Sequence, residues 1–231
     1  MNCCELAAYR LDLFMASVGV RTVTPPAEDA EPITLEEAWA HLRIDAFGSP
    51  LESDSDFWLT AIGIPAARAW AETYAGITIA ERTLEWSARG FPANQFLMLP
   101  VPYDAATTVY LPFGPLRTVE SIIYADADNV DQTLDPLEYV VNPYAAPATV
   151  KPATAWPAAY DKDRSVRVTY TAGYSDDSPA TPMPAEVRIG LLLMLGHLFE
   201  NREDTAQQSL SLIPTGARTF LDSVRQRFGF A

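Results

Sequence analysis

Cysteine is nearly absent from this chain of 231 residues: Cys3 and Cys4 are the only two, and they are adjacent. Neighbouring cysteines seldom pair, because the short ring strains the peptide between them. Two cysteines with two distant histidines, His41 and His197, do not make a zinc site. A chain without a disulfide framework, made in a reducing cytoplasm, is expected. Long hydrophobic runs are missing as well. The longest, Leu191 to Leu195, is far too short to span a bilayer. The opening Met1-Asn2-Cys3-Cys4-Glu5 carries no basic stretch, and Glu5, Arg10 and Asp12 interrupt the apolar residues of the N-terminus. Neither a targeting segment nor membrane contact is expected.

Basic residues are also scarce. Sixteen of them face thirty acidic residues, leaving a formal charge of -14. Gripping nucleic acid requires a basic face that displaces counterions from phosphates, and here the long-range field repels DNA. The acidity keeps a soluble protein soluble, or it makes a surface that DNA passes without sticking.

Motifs of chemistry are missing in turn. There is no G-x-S-x-G elbow and no G-x-x-x-x-G-K phosphate loop. His41 and His197 fall on separate predicted helices and read as ordinary helix-face residues. Asp126, Asp128 and Asp131 resemble the opening of a calcium loop, but Val130 stands at a ligand position and the turn glycine and closing glutamate are lacking. A solvated turn is the better reading. Trp39, Trp58, Trp70, Trp86 and Trp156 lack the interleaved basic residues that base stacking wants, so core packing is their expected role. No catalytic residue, cofactor or metal is expected.

What the chain has is a globular composition, 48% hydrophobic and 20% charged, with 19 prolines against 11 glycines. Such stiff turns suit short strands. Residues 1–23 read as an amphipathic helix, with Leu6, Leu13 and Val18 on one side, and 24–32 as an extended acidic linker. Residues 1–32 thus form an N-terminal extension. Thr34 and Glu37 make a capping box, with Ile33 stapled to Ala38, and start a helix through Leu42. A second helix runs from Ser53 or Asp54 to Tyr74, stops at Gly76, and is kinked or split at Pro65. Residues 33–80 are the first part of a helical body.

From Glu81 the period changes to two. Strands are predicted at 83–86, 107–111, 119–124, 139–141 and 166–170, with a hairpin turn at 126–129. Residues 81–174 are therefore an inserted small antiparallel β module, and the fold class is α+β. Residues 175–231 complete the helical body. Pro184 opens a helix whose apolar residues occupy almost every side, the expected central core helix. Arg202 and Glu203 lie just beyond it, either ending that helix or contacting a neighbouring subunit. Thr215 starts a last helix whose Phe220, Leu221, Val224 and Phe228, with Phe230 beyond, either pack on the body or dock into another chain.

The order of these pieces resembles a known family. Ile33-Thr34-Leu35-Glu36-Glu37-Ala38 and His41-Leu42-Arg43-Ile44 open the body, and Ala66-Ala67-Arg68-Ala69-Trp70-Ala71-Glu72 with Tyr74-Ala75-Gly76 closes its second helix. Leu111-Pro112, Pro115-Leu116, Val119-Glu120-Ser121-Ile122 and Tyr124 mark the β module. Trp156-Pro157, Val168-Thr169-Tyr170 and Ala172-Gly173-Tyr174 end it, and Pro184 and Phe199-Glu200-Asn201-Arg202-Glu203 frame the Leu-rich helix. The set resembles the head–tail connector (adaptor) proteins of long-tailed phages, prophages and gene transfer agents. The N-terminal extension and Pro65 depart from that pattern.

The resemblance implies a non-enzymatic virion protein of the neck. It implies a homo-oligomeric ring, a dodecamer, that binds the portal on one side and a tail-completion or stopper protein on the other. DNA passes through the ring without specific binding. A tail-completion or tail-terminator subunit of the same particle is the alternative, and a hydrolase a remote one.

Overall fold

In the computed structural model, residues 18–27, 30–44, 52–92, 107–175, 181–201 and 215–226 are described. They fall into two compact units. One comprises the chain through Pro25 together with Arg82–Gly173, here the β unit; the other comprises Pro26–Glu81 and the chain from Tyr174, here the helix unit.

The helix unit begins at the capping box. The Thr34 hydroxyl accepts from Glu37 N–H at 3.2 Å, and Thr34 N–H donates to Glu37 Oε2 at 2.9 Å. This satisfies two donors that the first turn would leave open. Helix α1 then covers Leu35–Leu42 and ends at Arg43 in a left-handed conformation. Helix α2, Glu52–Trp58, continues through a π turn, Leu59–Gly63, into α3, Ile64–Ala75. Pro65 stands in the first turn of α3. Its ring would meet the carbonyl one α-turn back, and the π turn, in which Ile64 N–H reaches Leu59 O, widens the backbone there. The helix therefore continues past proline instead of breaking.

Gly76 closes α3 at φ 65, a left-handed position where a Cβ is costly. The long core helix α4, Ala185–Glu200, starts directly after Pro184. Val187, Gly190, Leu191, Met194 and Leu195 are buried in it, and Leu192, Leu193, Leu198 and Phe199 are partly buried, so neighbours cover most of its sides. Helix α5, Thr215–Asp222, completes the unit.

The β unit holds two antiparallel sheets. The larger has five strands in the order β1 (Gly19–Thr24), β2 (Arg82–Ala88), β8 (Val166–Ala172), β4 (Leu116–Ala125) and β5 (Asp131–Thr133). The smaller has three, β3 (Val109–Leu111), β7 (Ala148–Pro152) and β6 (Tyr139–Asn142). In the central strand β8, burial alternates strictly: Val166, Val168, Tyr170 and Ala172 are buried, as period two demands of a strand with one core face. The Tyr170 hydroxyl lies deep in that core and donates to Pro112 O at 2.7 Å.

The architecture is α+β. Strands outnumber helices among the described residues, so "helical body" understates the sheets. Residues 1–23 were expected to be helical, whereas 19–24 form an edge strand. Val-Arg-Thr-Val-Thr is rich in β-branched residues, and pairing with β2 decides its state. Residues 1–17 lie outside the described residues.

Candidate functional site

The C-terminal stripe separates into two kinds of residue. Leu221 is fully buried and Val224 is partly buried against the core of the helix unit. The close approach is made possible by Gly190 on α4: a Cβ there would lie 3.1 Å from Leu221 Cγ and 3.5 Å from Ala217 O. At the end of α5 and just after it, the Tyr74 hydroxyl donates to Asp222 Oδ1 at 2.9 Å, the Arg225 guanidinium sits 4.9 Å from the Tyr74 ring centre, and Gln226 N–H donates to Ala75 O at 2.8 Å. Leu221 and Val224 therefore hold α5 in its own unit and do not present a docking stripe. The spacing Ala217, Leu221, Val224 (i, i+4, i+7) selects the inward face, and Phe220 lies off it, 39% exposed. Phe228, Phe230, Arg202 and Glu203 lie outside the described residues.

Exposed apolar side chains occur in both units. In the β unit, Val140 of β6 stands opposite Lys151, and Tyr110, Thr149 and Asn142 form the adjoining row across the small sheet. Val140 is 62% exposed and Tyr110 42%, flanked in sequence by Leu137 at 87% and Tyr144 at 89%. The signal was present in Tyr139-Val140-Val141, which puts apolar side chains on both faces of an edge strand. In the helix unit, Phe57 and Ile62 are exposed on either side of the junction between α2 and the π turn.

Asp126 and His197 have partners within their own units. Asp126 accepts from Asp128 N–H and Val130 N–H, each at 3.0 Å, and from the Gln132 amide at 2.8 Å. These bonds, the Val130 one foremost, hold its carboxyl below the usual carboxylate range. The would-be calcium loop is a turn held by its own carboxylate. The His197 ring lies 3.4 Å from the Asn201 amide, and His41 packs beside Gly196.

The tryptophans serve packing. Trp156 stacks on Phe91 at 4.5 Å and donates to Thr107 O; Trp58 meets Phe199 edge-on; Trp70 stacks on Tyr74; Trp86 is buried; and Trp39 donates to Asp56. No group of three or more His, Cys, Asp or Glu among the described residues is placed to hold a metal ion. Among the described residues, no helix is long and apolar enough to cross a membrane.

Two ionic clusters instead brace the fold. In the helix unit Arg68 binds Glu31 through both Nε (2.8 Å) and Nη2 (2.9 Å), and its Nη1 donates to Glu72 Oε2 at 3.2 Å. Glu72 Oε1 in turn accepts from Ile79 N–H at 2.8 Å and Ala80 N–H at 3.3 Å. In the β unit Glu85 receives Arg21 and Arg164. The acidic surplus is unevenly divided. The residues of the helix unit include 18 acidic and 7 basic ones, against 12 and 9 in the β unit.

Similarity to known proteins lies in the fold. No family model matches the chain, and no curated protein does. A solved chain from the neck of an empty gene transfer agent (GTA) particle, computed with C6 symmetry, superposes with a TM-score of 0.67 over 90% of this chain and 96% of that one, at 19% identity. The fold is that of a chain from the gene transfer agent neck. Two further solved structures carry the same neck fold. One is the virion of a native GTA particle (TM-score 0.67, 20% identity, 90% and 95% coverage) and the other the neck of a native GTA particle computed with C12 symmetry (0.61, 19%, 90% and 96%). The family resemblance drawn from ordered sequence motifs pointed to this same class of particle.

Proposed function

We propose that this chain is a structural, non-enzymatic connector subunit in the neck of a phage-like particle, assembling as a ring beneath the portal. The observation that carries the proposal is the extent of the fold match: nearly all of this chain corresponds to nearly all of a neck chain. The ring takes twelve copies, supported by the C12 symmetry applied to one such neck. It binds the portal on one side and a tail-completion or stopper protein on the other.

A closed ring needs two different, complementary patches on each subunit. The exposed apolar side chains Tyr110 and Val140 of the small sheet, and Phe57 and Ile62 of the helix unit, are assigned to such contacts, since burying them against a neighbour removes apolar surface from water. Phe220, with Phe228, Phe230, Arg202 and Glu203, is assigned to contacts with the portal or the tail. The acidic helix unit suits a passage through which DNA moves without adhering.

Deleting the gene from a particle-producing strain tests the reading. DNA-filled heads and separate tails are expected, together with loss of one ring of density from the neck of the remaining particles by electron microscopy. Particles with complete necks would overturn the proposal. Heads that keep this ring while tails lose their end would favour a tail-terminator role instead.

A further inference from the structure

Strand β1 is an arm laid along the edge of the β unit. It meets the five-stranded sheet through β2, and of its six residues Val20 is partly buried while the other five are exposed. The pairing is bulged between Thr22 and Thr24. Arg21 reaches Glu85 at 2.9 and 3.1 Å, and the Ser87 hydroxyl donates to Gly19 O at 3.4 Å.

Its acceptor is different in kind. Strand β2 is buried from Leu84 through Ala88, and Glu85 within it is only 7% exposed. Buried backbone donors and acceptors must be paired, and a buried carboxylate needs its cation. A β1 strand pairs the β2 edge that would otherwise lie open, and gives Glu85 a second cation beside Arg164. Nothing in the pairing requires that strand to come from the same chain.

The connection after β1 suits a transfer. Pro25 and Pro26 fix two consecutive φ angles directly behind the strand. Further along, the Glu31 side chain is gripped by Arg68. The seven steps of chain from Thr24 to Glu31 can reach roughly 25 Å when extended. Short, stiff hinges next to a weakly buried terminal element favour exchange between identical protomers, since every hydrogen bond given up within one chain is remade with another.

We propose that in the assembled ring β1 of each subunit pairs with β2 of a neighbouring copy. This rests on the ring reading above and names one of its contacts. In a closed ring every arm finds an acceptor and every β2 edge is filled, so exchange adds links between subunits without leaving an edge bare.

The register supplies the test. Gly19 lies opposite Ser87, and a Cβ at Gly19 would stand 3.6 Å from Ser87 Oγ. Two single-cysteine chains, Gly19→Cys and Ser87→Cys, each with Cys3→Ser and Cys4→Ser, are mixed, assembled into rings, isolated by size and oxidised. Disulfide-linked dimers containing one chain of each kind, released by reductant, are expected. The double variant, treated alike, is expected to give a ladder of covalent multimers. Rings that yield no such mixed dimers and no ladder overturn the exchange and leave the ring reading standing. A parent chain that forms no rings, alone or in the particle, overturns both.

Discussion

Glu85 joins the two ends of the β unit's sequence, taking Arg21 from the N-terminal strand and Arg164 from the loop before β8. Burial pushes its carboxyl up, but the hydrogen bonds and charges of Arg21 and Arg164 outweigh burial and hold it below the ordinary 4.5. The unfolded chain then binds the proton more readily than the folded one. The stabilisation is complete above the unfolded value and fades as pH falls through the lower folded one. Glu85→Gln should cost about 1 kcal/mol near neutrality, since both arginines are half in water and the pair is screened. Urea unfolding at about pH 7 and about pH 3 checks this: the gap between variant and parent should close at the lower pH. Gly76 gives a second test. With φ at 65 and a would-be Cβ 3.2 Å from Gln226 O, Gly76→Ala should lower stability by about 1–2 kcal/mol in the same assay, against little change for Gly90→Ala, where a Cβ meets open space.

Among the elements, α5 is one for which the sequence leaves two roles open, and Leu221 and Val224 pack on its own unit. Leu221 fills space left by the missing side chain of Gly190, so Leu221→Ala should cost about 2–5 kcal/mol, and Gly190→Val should displace α5 and lower the thermal midpoint. Removing residues 215–231 should leave the helix unit unable to fold, visible as lost helical circular dichroism, and not merely unable to dock. None of this was legible locally, because a Phe-Leu-Val stripe looks the same whether its groove belongs to its own chain or to another. The helix starts and stops were legible for the opposite reason. Thr34 with Glu37, Gly76 and Pro184 act on backbone groups within four residues of themselves, so sequence alone carries the information. Even the disturbance at Pro65 was readable, although its form, a π turn in a continuing helix, was not. Strands β2, β4, β6 and β8 showed period two, while β1, β5 and β7 did not declare themselves. Asp131-Gln132-Thr133 is wholly exposed and is a strand only because β4 lies beside it. The small sheet's exposed face stayed hidden because it takes β3, β6 and β7 together to make it.

For the whole molecule, charge is the property that assembly must contend with. The helix unit's residues carry a formal -11 and those of the β unit -3, and bringing such chains together in a ring concentrates like charge. Contacts built on Tyr110, Val140, Phe57 and Ile62, and the backbone hydrogen bonds of a strand ladder such as β1 on β2, do not depend on opposite charges to form, although the ladder also carries the Arg21–Glu85 ion pair. Screening should therefore help assembly. At about 0.01 M ionic strength the Debye length is roughly 30 Å and neighbouring subunits repel across their full width, whereas at about 1 M it is roughly 3 Å and the repulsion is confined to touching groups. The fraction of purified chain found as rings by mass photometry should rise as sodium chloride increases from about 50 mM to about 500 mM. Nucleic-acid binding runs the other way, weakening steeply with salt because the gain from counterion release shrinks. Rings that fall apart on raising salt would mean that ion pairs hold the subunits together, and the apolar patches would then lose their assigned place at the interface.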